Sequence, residues 1–354
     1  MLDVVGDVCG IHAQVAASAE LSLGLRVDGI TREDVRHALW EQRTLVKTYG
    51  LRGTLHLFPT NELALWLAAI RSRPPRSETN PMVGQALPPE RRGAVLEAIH
   101  TALGGRPLTR DELGVEIGNS VGAWATEAVF PAFGGRWPPW QLALGQAALE
   151  GLIVFGPNRG NRVSYVRTDQ WLGGLGRVDE REAAREVCRR YLAAYGPATH
   201  VEFARWFNAP PRWARDLMQS LELEEVDVEG WRAWMPANGD VPEPRRGGAV
   251  HLLPHFDCFV VGSHPRAHLV PELAPPELRK GTAAPFAVLL VDGVVGGVWD
   301  RQRRGKSLEV RVDAFATLGP EQREQVERQA SRIGVILQTP VEVAFGEVKL
   351  RAHL

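Results

Sequence analysis

The sequence predicts an α+β fold in which three helical units, each closed by a β-hairpin, precede a C-terminal domain rich in β-strands. Two observations carry this prediction. A Thr-x-x-acid pattern recurs at Thr31, Thr109 and Thr199, and a hairpin signal follows each of the three. Beyond about Pro242 the helical texture gives way to short apolar and β-branched runs that are typical of strands.

The repeated pattern is a helix-start signal. In each case the threonine hydroxyl can accept a hydrogen bond from an early helix N–H, while the acid three residues later accepts one from the threonine N–H. The spacings of 78 and 90 residues suit small domains better than a solenoid repeat. Each of the three boxes therefore predicts the start of a helix.

Each predicted hairpin has turn residues between two short strand runs. The runs are 45–48 with 54–57, 152–155 with 162–166, and 226–228 with 231–234. A helix over 140–150 that ends at Gly151 precedes the second hairpin, and a helix that starts after Pro210-Pro211 precedes the third. Two helices followed by a hairpin is the winged-helix order, a helix-turn-helix variant whose second helix and wing usually face DNA.

We therefore predict four domains. N-terminal helices and winged helix 1 occupy 1–85, winged helix 2 occupies 86–178, winged helix 3 occupies 179–241, and a C-terminal β-barrel-like domain occupies 242–354. In the last domain the predicted elements are five strands and one covering helix: Val250–Leu253, Phe286–Val291, Val294–Trp299, Leu308–Val312, Val341–Phe345 and the helix Pro320–Ile333.

The composition is that of a globular protein without a strong overall charge. Of 354 residues, 44% are hydrophobic, and the formal net charge is −1, which excludes a uniformly basic coat for nucleic acid but not a local basic face. The three cysteines, Cys9, Cys188 and Cys258, are far apart and fit a reducing compartment. No apolar run approaches the roughly 18 residues of a membrane span. We expect a cytoplasmic, nucleoid-associated bacterial protein without membrane partners.

A chemically suggestive pair follows the first predicted helix. Residues 1–9 predict a helix that Gly10 ends, and 16–26 predicts the next. In an extended linker between them, His12 and Gln14 share one face, because side chains alternate along extended backbone. Two neutral hydrogen-bonding groups on one face can position a water molecule. The alternative is that both are ordinary polar residues of an interhelical turn.

Four short segments resemble, in type and order, those of one protein family. They are His12-Ala13-Gln14, Arg52-Gly53-Thr54-Leu55-His56-Leu57, Gly196-Pro197-Ala198-Thr199 and Phe256-Asp257. On these, and over essentially its whole length, the chain resembles the AlkZ-like alkylpurine DNA glycosylases, which include azinomycin self-resistance enzymes. The resemblance implies tandem winged helices on a C-terminal β-barrel. It also implies a catalytic Gln-apolar-Gln motif, of which this sequence carries a His-x-Gln form.

The resemblance further implies hydrolysis of the N-glycosidic bond of N7-alkylguanine in double-stranded DNA, with bulky natural-product adducts as the expected lesions. Alkylation places positive charge on the base, so the protein must mainly place a water near C1′ and stabilise an oxocarbenium-like state. Gln14 would orient the water, and His12 would help to orient it or accept its proton. Only four lysines occur and none is near His12 in sequence, which favours a monofunctional mechanism. We expect a monomer without a cofactor.

Three sets of residues are predicted to contact DNA. They are Lys47, Arg52, Thr54 and His56 of the first wing, Arg159 and Arg162 of the second, and Arg301, Arg303, Arg304 and Lys306 of a basic hairpin between strands ending at Trp299 and beginning at Leu308. Cations at a hairpin tip can lie along phosphates or enter a minor groove. The alternatives are a buried polar pair that holds the first wing, and a solvated basic turn.

A competing metal site is disfavoured. His251, His255, His264 and His268 form two H-x3-H pairs around Asp257 and Cys258, but Pro254 and Pro265 interrupt both pairs. We interpret Asp257 as a structural or cleft-lining carboxylate. No Walker loop, GxGxxG after a strand, HExxH or GxSxG occurs, which excludes the commonest nucleotide-binding, zinc-protease and serine-hydrolase classes. The competing function is a non-catalytic winged-helix DNA-binding protein such as a transcription regulator.

Overall fold

The computed structural model describes residues 1–74, 81–132, 135–237, 247–280 and 285–350. The chain divides into two compact units. The first unit joins Met1–Ala38 to Glu186–Leu354, and the second is Leu39–Arg185. Among the described residues, no helix combines the length and apolar character needed to cross a bilayer.

The N-terminal part of the first unit is helical with one short extended segment. Its elements are α1 (Leu2–Asp7), β1 (Ile11–His12), α2 (Ala16–Gly24) and the start of α3 (Arg32–Trp40). Helix α1 is shorter than predicted because Cys9 and Gly10 take positive φ angles of 60° and 89°, which helical backbone does not allow. The extended linker predicted around His12 is present at Ile11–His12.

The second unit contains two of the three predicted hairpins. Its elements are β2 (Leu45–Tyr49), β3 (Leu55–Pro59), α4 (Leu63–Arg71), α5 (Pro81–Ala86), α6 (Pro89–Ala102), β4 (Leu108–Thr109), α7 (Arg110–Val121), β5 (Phe130–Ala132), β6 (Gly135–Trp137), α8 (Pro139–Leu142), α9 (Leu144–Leu149), β7 (Ile153–Arg159), β8 (Arg162–Arg167) and α10 (Thr168–Leu172). Strands β2 and β3 pair antiparallel, and β4, β8 and β7 form a three-stranded sheet. The helix predicted over 140–150 is divided at Ala143 into α8 and α9. The core packs Leu113, Ile117, Trp140 and Phe155 together.

The first unit resumes within α11 (Glu180–Tyr195) and contains the third predicted hairpin. Helices α12 (His200–Phe207) and α13 (Pro211–Gln219) lead to β9 (Leu223–Val228) and β10 (Trp231–Pro236). The two-residue turn at Glu229-Gly230 has φ angles of 53° and 84°, the backbone that matches the twist of a tight hairpin. The third hairpin therefore forms at the predicted position.

The C-terminal part is an open sheet covered by a helix. Its elements are β11 (Val250–Leu253), α14 (Cys258–Gly262), α15 (Arg266–Leu269), α16 (Pro276–Lys280), β12 (Val288–Val291), β13 (Val294–Arg304), β14 (Ser307–Ala314), α17 (Pro320–Leu337) and β15 (Val341–Phe345). The strand order is β11-β12-β13-β14-β15, antiparallel except for the parallel pair β14–β15.

The predicted barrel is wrong. Strands β11 and β15 lie at opposite edges of the five-stranded sheet, so the described strands do not close on themselves. Helix α17 contacts both edge strands, and its Val326 and Ile333 are buried together with Val310 and Val312 of β14. The apolar face of the sheet is thus buried by a helix instead of by closure. The coarser prediction of an α+β fold is confirmed.

All three predicted capping boxes form. The acid accepts a hydrogen bond from the threonine N–H at 2.7 Å for Thr31–Asp34, 2.8 Å for Thr109–Glu112 and 3.0 Å for Thr199–Glu202. The threonine hydroxyl in turn accepts from a first-turn N–H in each case. The element order agrees with three helix-plus-hairpin units, while the division into four domains stays a prediction.

Candidate active site

His12 lies on β1 with its ring against an aromatic side chain. Its imidazole stacks on the ring of Phe256, with 5.1 Å between centroids and 14° between planes. His12 is only 7% exposed, and Ala13 is buried. Gln14 follows on a bend before α2 and is exposed. The segment therefore offers one sheltered nitrogen heterocycle and one solvent-facing amide two residues apart; their convergence on one water stays a prediction.

The turn that carries Phe256 is fixed by the fully buried carboxylate of Asp257. Asp257 caps α14 by accepting from the Phe259 N–H at 2.9 Å. It also accepts from the Ser22 hydroxyl at 2.6 Å, and from both terminal nitrogens of Arg26 at 2.8 and 2.7 Å. Because Ser22 and Arg26 lie in and just after α2, the Phe256 turn is tied to the helix that follows Gln14.

This network is an ion pair inside the protein. Burial opposes the charge of Arg26, but the adjacent Asp257 carboxylate raises the pKa of the guanidinium well above its usual value. Burial also raises the pKa of the neighbouring Cys258 thiol to about 11, so the thiol is neutral at physiological pH. Of the two interpretations of Asp257, these contacts support the structural one.

A cavity of about 430 Å³ lies in the first unit, and two of the residues that line it are chain neighbours of Gln14 and Phe256. These two residues are Val15, which follows Gln14, and His255, which precedes Phe256. Its polar lining is completed by Ser18, Asp300, Arg301 and Lys349. Residues that follow Gln14 and residues of the C-terminal sheet thus line one open cavity.

Arg301 is not at the tip of the basic hairpin, so that part of the sequence prediction is wrong. Strand β13 continues beyond Trp299 to Arg304, and β14 begins at Ser307, because the cross-strand pairing continues through charged residues. Arg301 pairs with Val310 inside the ladder and lines the cavity. Burial lowers the pKa of its guanidinium, although Asp300 and Glu20 oppose that shift.

The remaining basic residues of the hairpin are exposed around its turn. Gly305 takes a positive φ of 61° and leads into Lys306, while Arg303 and Arg304 end β13. The Arg303 Nε donates to the Gly305 carbonyl at 3.3 Å, and Arg304 lies 3.6 Å from Glu309. Three cations are therefore presented at the tip, instead of the four that the sequence predicts.

The residues predicted in the first wing lie in the second unit. Arg52 has a positive φ of 58° in the turn between β2 and β3, and Thr54 precedes β3 and donates to the Leu51 carbonyl at 2.9 Å. His56 is 2% exposed and stacks on Phe58. The contacts of Thr54 and His56 support the alternative in which they hold the wing.

Lys47 and the two arginines of the second wing belong to the same unit. The Lys47 ammonium lies 5.3 Å from the centre of the Phe155 ring. Arg159 forms an ion pair with Glu112, the acid of the α7 capping box, and Arg162 is exposed at the start of β8. The Thr109 hydrogen bonds, with help from Arg159, lower the pKa of Glu112 to about 2. DNA contact by these residues stays a prediction.

The histidines singled out as a possible metal set are not gathered. His251 is exposed on β11, and His268 packs edge-on against Trp231. Within the described ranges no three His, Cys, Asp or Glu side chains are grouped so as to hold a metal ion.

Sequence reasoning missed Phe256 as the partner of His12, and missed Ser22 and Arg26 as the partners of Asp257. The two ends of each contact are more than 200 residues apart, so no local spacing relates them. The one available signal was the Phe256-Asp257 dipeptide itself, an aromatic residue beside a carboxylate in an otherwise apolar stretch.

Comparison with known proteins gives consistent matches. The family model described as DNA glycosylase AlkZ-like matches residues 5–335. An interstrand DNA cross-link repair glycosylase from Streptomyces sahachiroi is 31% identical over 314 residues, which cover 84% of this chain and 81% of the relative. The solved structure of the Streptomyces sahachiroi DNA glycosylase AlkZ matches with a TM-score of 0.76 at 28% identity, covering 97% of this chain and 93% of that one.

Proposed function

Since the chain belongs to the AlkZ-like DNA glycosylase family and is a DNA glycosylase, we propose that it hydrolyses the N-glycosidic bond of N7-alkylguanine with a water held by His12 and Gln14. The observation that carries the proposal is the His12 imidazole, sheltered on β1 and stacked on Phe256, with the exposed amide of Gln14 two residues away. The expected lesions are bulky adducts, which the cross-link repair described for the relative supports.

Hydrolysis of this bond does not require the protein to activate the base as a leaving group. An N7-alkylated purine is already cationic, so the bond between N9 and C1′ breaks with its electron pair going to the base, which leaves neutral. The water oxygen then bonds to C1′, and its proton passes to His12 or to solvent. A ring that is fixed by stacking keeps its nitrogen at one place, which lowers the entropic part of the barrier.

We propose that the exposed cations bind the DNA backbone. The exposed ones are Arg303, Arg304 and Lys306 on the β13–β14 hairpin and Arg162 on the second wing, and we add the half-buried Lys47 and Arg52 of the first wing. Phosphate contacts of this kind set position without reading sequence. We also propose that the chain contains three winged helices, of which the first two carry Lys47, Arg52 and Arg162, and that a monomer acts without a cofactor and without a lysine nucleophile.

Base release from defined duplexes tests the proposal. The purified protein is incubated with a duplex that carries one N7-methylguanine, and with a second that carries a bulky intercalating N7-guanine adduct, and each product is treated with alkali. The proposed monofunctional mechanism predicts free base and strand breaks that occur only after alkali. Breaks without alkali would indicate a lyase step. No base release from either duplex would overturn the proposed substrate class.

A further inference from the structure

We propose that the 430 Å³ cavity of the first unit holds one phosphate group of the DNA backbone, bound by Arg301, Lys349 and the first turn of α2. The proposal extends the proposed function, in which cations at the surface bind the backbone, by one sheltered phosphate site. It rests on the chain being a DNA glycosylase, and it depends neither on the identity of the lesion nor on the roles of His12 and Gln14.

Arg301 supplies a buried donor to the cavity. Its Nη1 atom is buried and has no hydrogen-bond partner in the part of the chain that the structure describes. A buried donor without an acceptor is unfavourable, and an oxygen of a bound anion would remove that cost. The planar guanidinium suits a phosphate group, whose oxygens can accept two parallel hydrogen bonds from it.

The carboxylates that attract Arg301, those of Asp300 and Glu20, already accept other hydrogen bonds. Asp300, which also lines the cavity, accepts one from the backbone N–H of Arg301 at 2.7 Å. Glu20 accepts from the Nε and Nη2 atoms of Arg36 at 2.7 and 3.2 Å. Because Lys349 adds a second cation to the lining, the charge of the cavity favours an anion.

The first turn of α2 reaches the same cavity. Val15 is the N-cap residue of this helix, Ser18 lies in its first turn, and both line the cavity. The side chain of Val15 makes no capping hydrogen bond, so it leaves the N–H groups of the first turn to other acceptors. The positive end of the helix dipole therefore adds to the attraction that Arg301 and Lys349 exert on an anion.

The position of the cavity in the sheet favours a DNA strand over a free anion. The cavity lies where β13 continues beyond the last residue that pairs with β12. Three residues further along β13, Arg304 lines a second cavity of about 320 Å³, which shares Asp300 and Lys349 with the first. Arg301 and Arg304 are about 10 Å apart along the strand, the axial length of about three base pairs. A backbone that contacts the hairpin can therefore place another of its phosphates in the cavity.

The cavity is larger than a phosphate group, and the rest of its lining suits the attached sugar. Its volume lies in the range of about 300–1,000 Å³ that is typical of small-molecule sites. Phe286, Val348 and Leu350 contribute apolar surface beside the cationic groups. The carbon atoms of a deoxyribose can pack against these side chains while its phosphate meets Arg301.

The test combines variants of the protein with the neutralisation of single phosphates. The duplex carries one tetrahydrofuran abasic-site analogue, which resembles the product of any DNA glycosylase and so fixes the position of the protein without assuming a lesion. In a set of such duplexes, each phosphate near that site is replaced in turn by a neutral methylphosphonate. Affinity is measured for the wild type, Arg301→Met, Lys349→Met and the matched control Arg332→Met. Arg332 is a half-buried arginine of α17 whose guanidinium already pairs with Asp28.

One methylphosphonate position should weaken the binding of the wild type and of Arg332→Met about tenfold. The same position should have no effect in Arg301→Met and a smaller effect in Lys349→Met, because its partner in the protein has been removed. Lys349 is exposed, so Lys349→Met keeps the test decisive if Arg301→Met does not fold. The proposal is overturned if no position weakens the wild type, or if every position that does so weakens the two cavity variants equally.

Inorganic phosphate distinguishes a backbone site from a site for free phosphate. Its effect on the melting temperature is measured at an ionic strength matched with chloride. A rise in the wild type that is absent in Arg301→Met, together with methylphosphonate effects that depend on neither cavity residue, would indicate a site for free phosphate and overturn the proposal. Base release from N7-alkylguanine duplexes tests the proposed function separately.

Discussion

At the scale of single residues, the account depends on how His12 is held. Its ring has a stacking partner at 5.1 Å, and that partner, Phe256, takes a positive φ of 58° that non-glycine residues rarely adopt. The surrounding contacts compensate for this strained backbone: Asp257 binds Arg26 and Ser22 immediately after it. The anchored turn therefore holds the Phe256 ring against the His12 imidazole.

Phe256 should therefore act as a positioning residue. Phe256→Leu removes the flat surface under the imidazole, and we expect the single-turnover rate of base release to fall about 10- to 100-fold. The affinity for lesion-bearing duplex should not change, and Phe256→Tyr, which keeps the ring, should retain the rate. A parallel loss of DNA affinity in Phe256→Leu would show that the ring is only structural.

The buried ion pair makes a separate prediction about stability. Arg26→Met leaves the Asp257 carboxylate buried without its cation, which should lower the free energy of unfolding by about 3–5 kcal/mol. The control is Asp28→Asn, because Asp28 is 96% exposed where it meets Arg332 and such surface pairs contribute about 0–1 kcal/mol. Urea unfolding measures both. A loss below 1 kcal/mol in Arg26→Met would contradict the assigned role.

At the scale of elements, the start of α7 is pH-sensitive. The hydrogen bonds from Thr109 and the contact with Arg159 lower the pKa of Glu112 from its ordinary value near 4.5 to about 2. The folded state therefore favours the ionised carboxylate more strongly than the unfolded state does. The stabilisation of the folded state by ionised Glu112 is present above pH 4.5 and is lost as the pH falls toward 2.

The measurement is the urea midpoint as a function of pH between 4.5 and 2. The midpoint of the wild type should fall more steeply over that window than the midpoint of Glu112→Gln, which has no carboxylate to protonate at this position. Glu116→Gln, on the same helix, serves as the control and should follow the wild type. Identical slopes for wild type and Glu112→Gln would contradict the capping and ion-pair assignment.

The β13–β14 hairpin makes the second prediction at this scale. Arg303 and Lys306 are exposed around its turn, so each should neutralise one phosphate. Arg303→Gln and Lys306→Gln should each reduce the slope of log affinity against log salt by about 0.9. Arg328→Gln, an exposed arginine on α17 that pairs with Glu324, should leave the slope unchanged. Unchanged slopes in both hairpin variants would indicate that the hairpin is a solvated turn that does not contact phosphates.

At the scale of the whole molecule, elements that depend on neighbouring residues were predictable from the sequence, whereas the open form of the C-terminal sheet was not. Capping boxes, tight turns and the strand runs Val250–Leu253 and Val341–Phe345 depend on residues a few positions apart, and the structure has them. Whether a five-stranded sheet closes into a barrel depends on which edges meet. Here α17 packs on both edge strands, a tertiary outcome that alternation along the chain does not encode.

The candidate active site likewise combines features that the sequence predicts with tertiary contacts that it does not. The extended backbone at His12 was predicted from its place between two helices, whereas Gln14 lies on a bend, so the shared face of the two side chains stays a prediction. Arg301 was misplaced because the apolar alternation stops at Trp299, while strand pairing continues through charged residues to Arg304. Phe256, Arg26 and Ser22 were not assigned because they reach the site through tertiary contacts across more than 200 residues.

The central claim is that His12 and Gln14 serve hydrolysis and not DNA affinity. The most direct test measures base release and duplex affinity side by side for the wild type, for His12→Ala/Gln14→Ala, and for the control His251→Ala/Gln329→Ala on β11 and α17. The account predicts that base release from an N7-alkylguanine duplex falls at least about 100-fold in the first variant only, with duplex affinity unchanged in all three. Unchanged base release in His12→Ala/Gln14→Ala, or an equal loss of release and affinity, would contradict it.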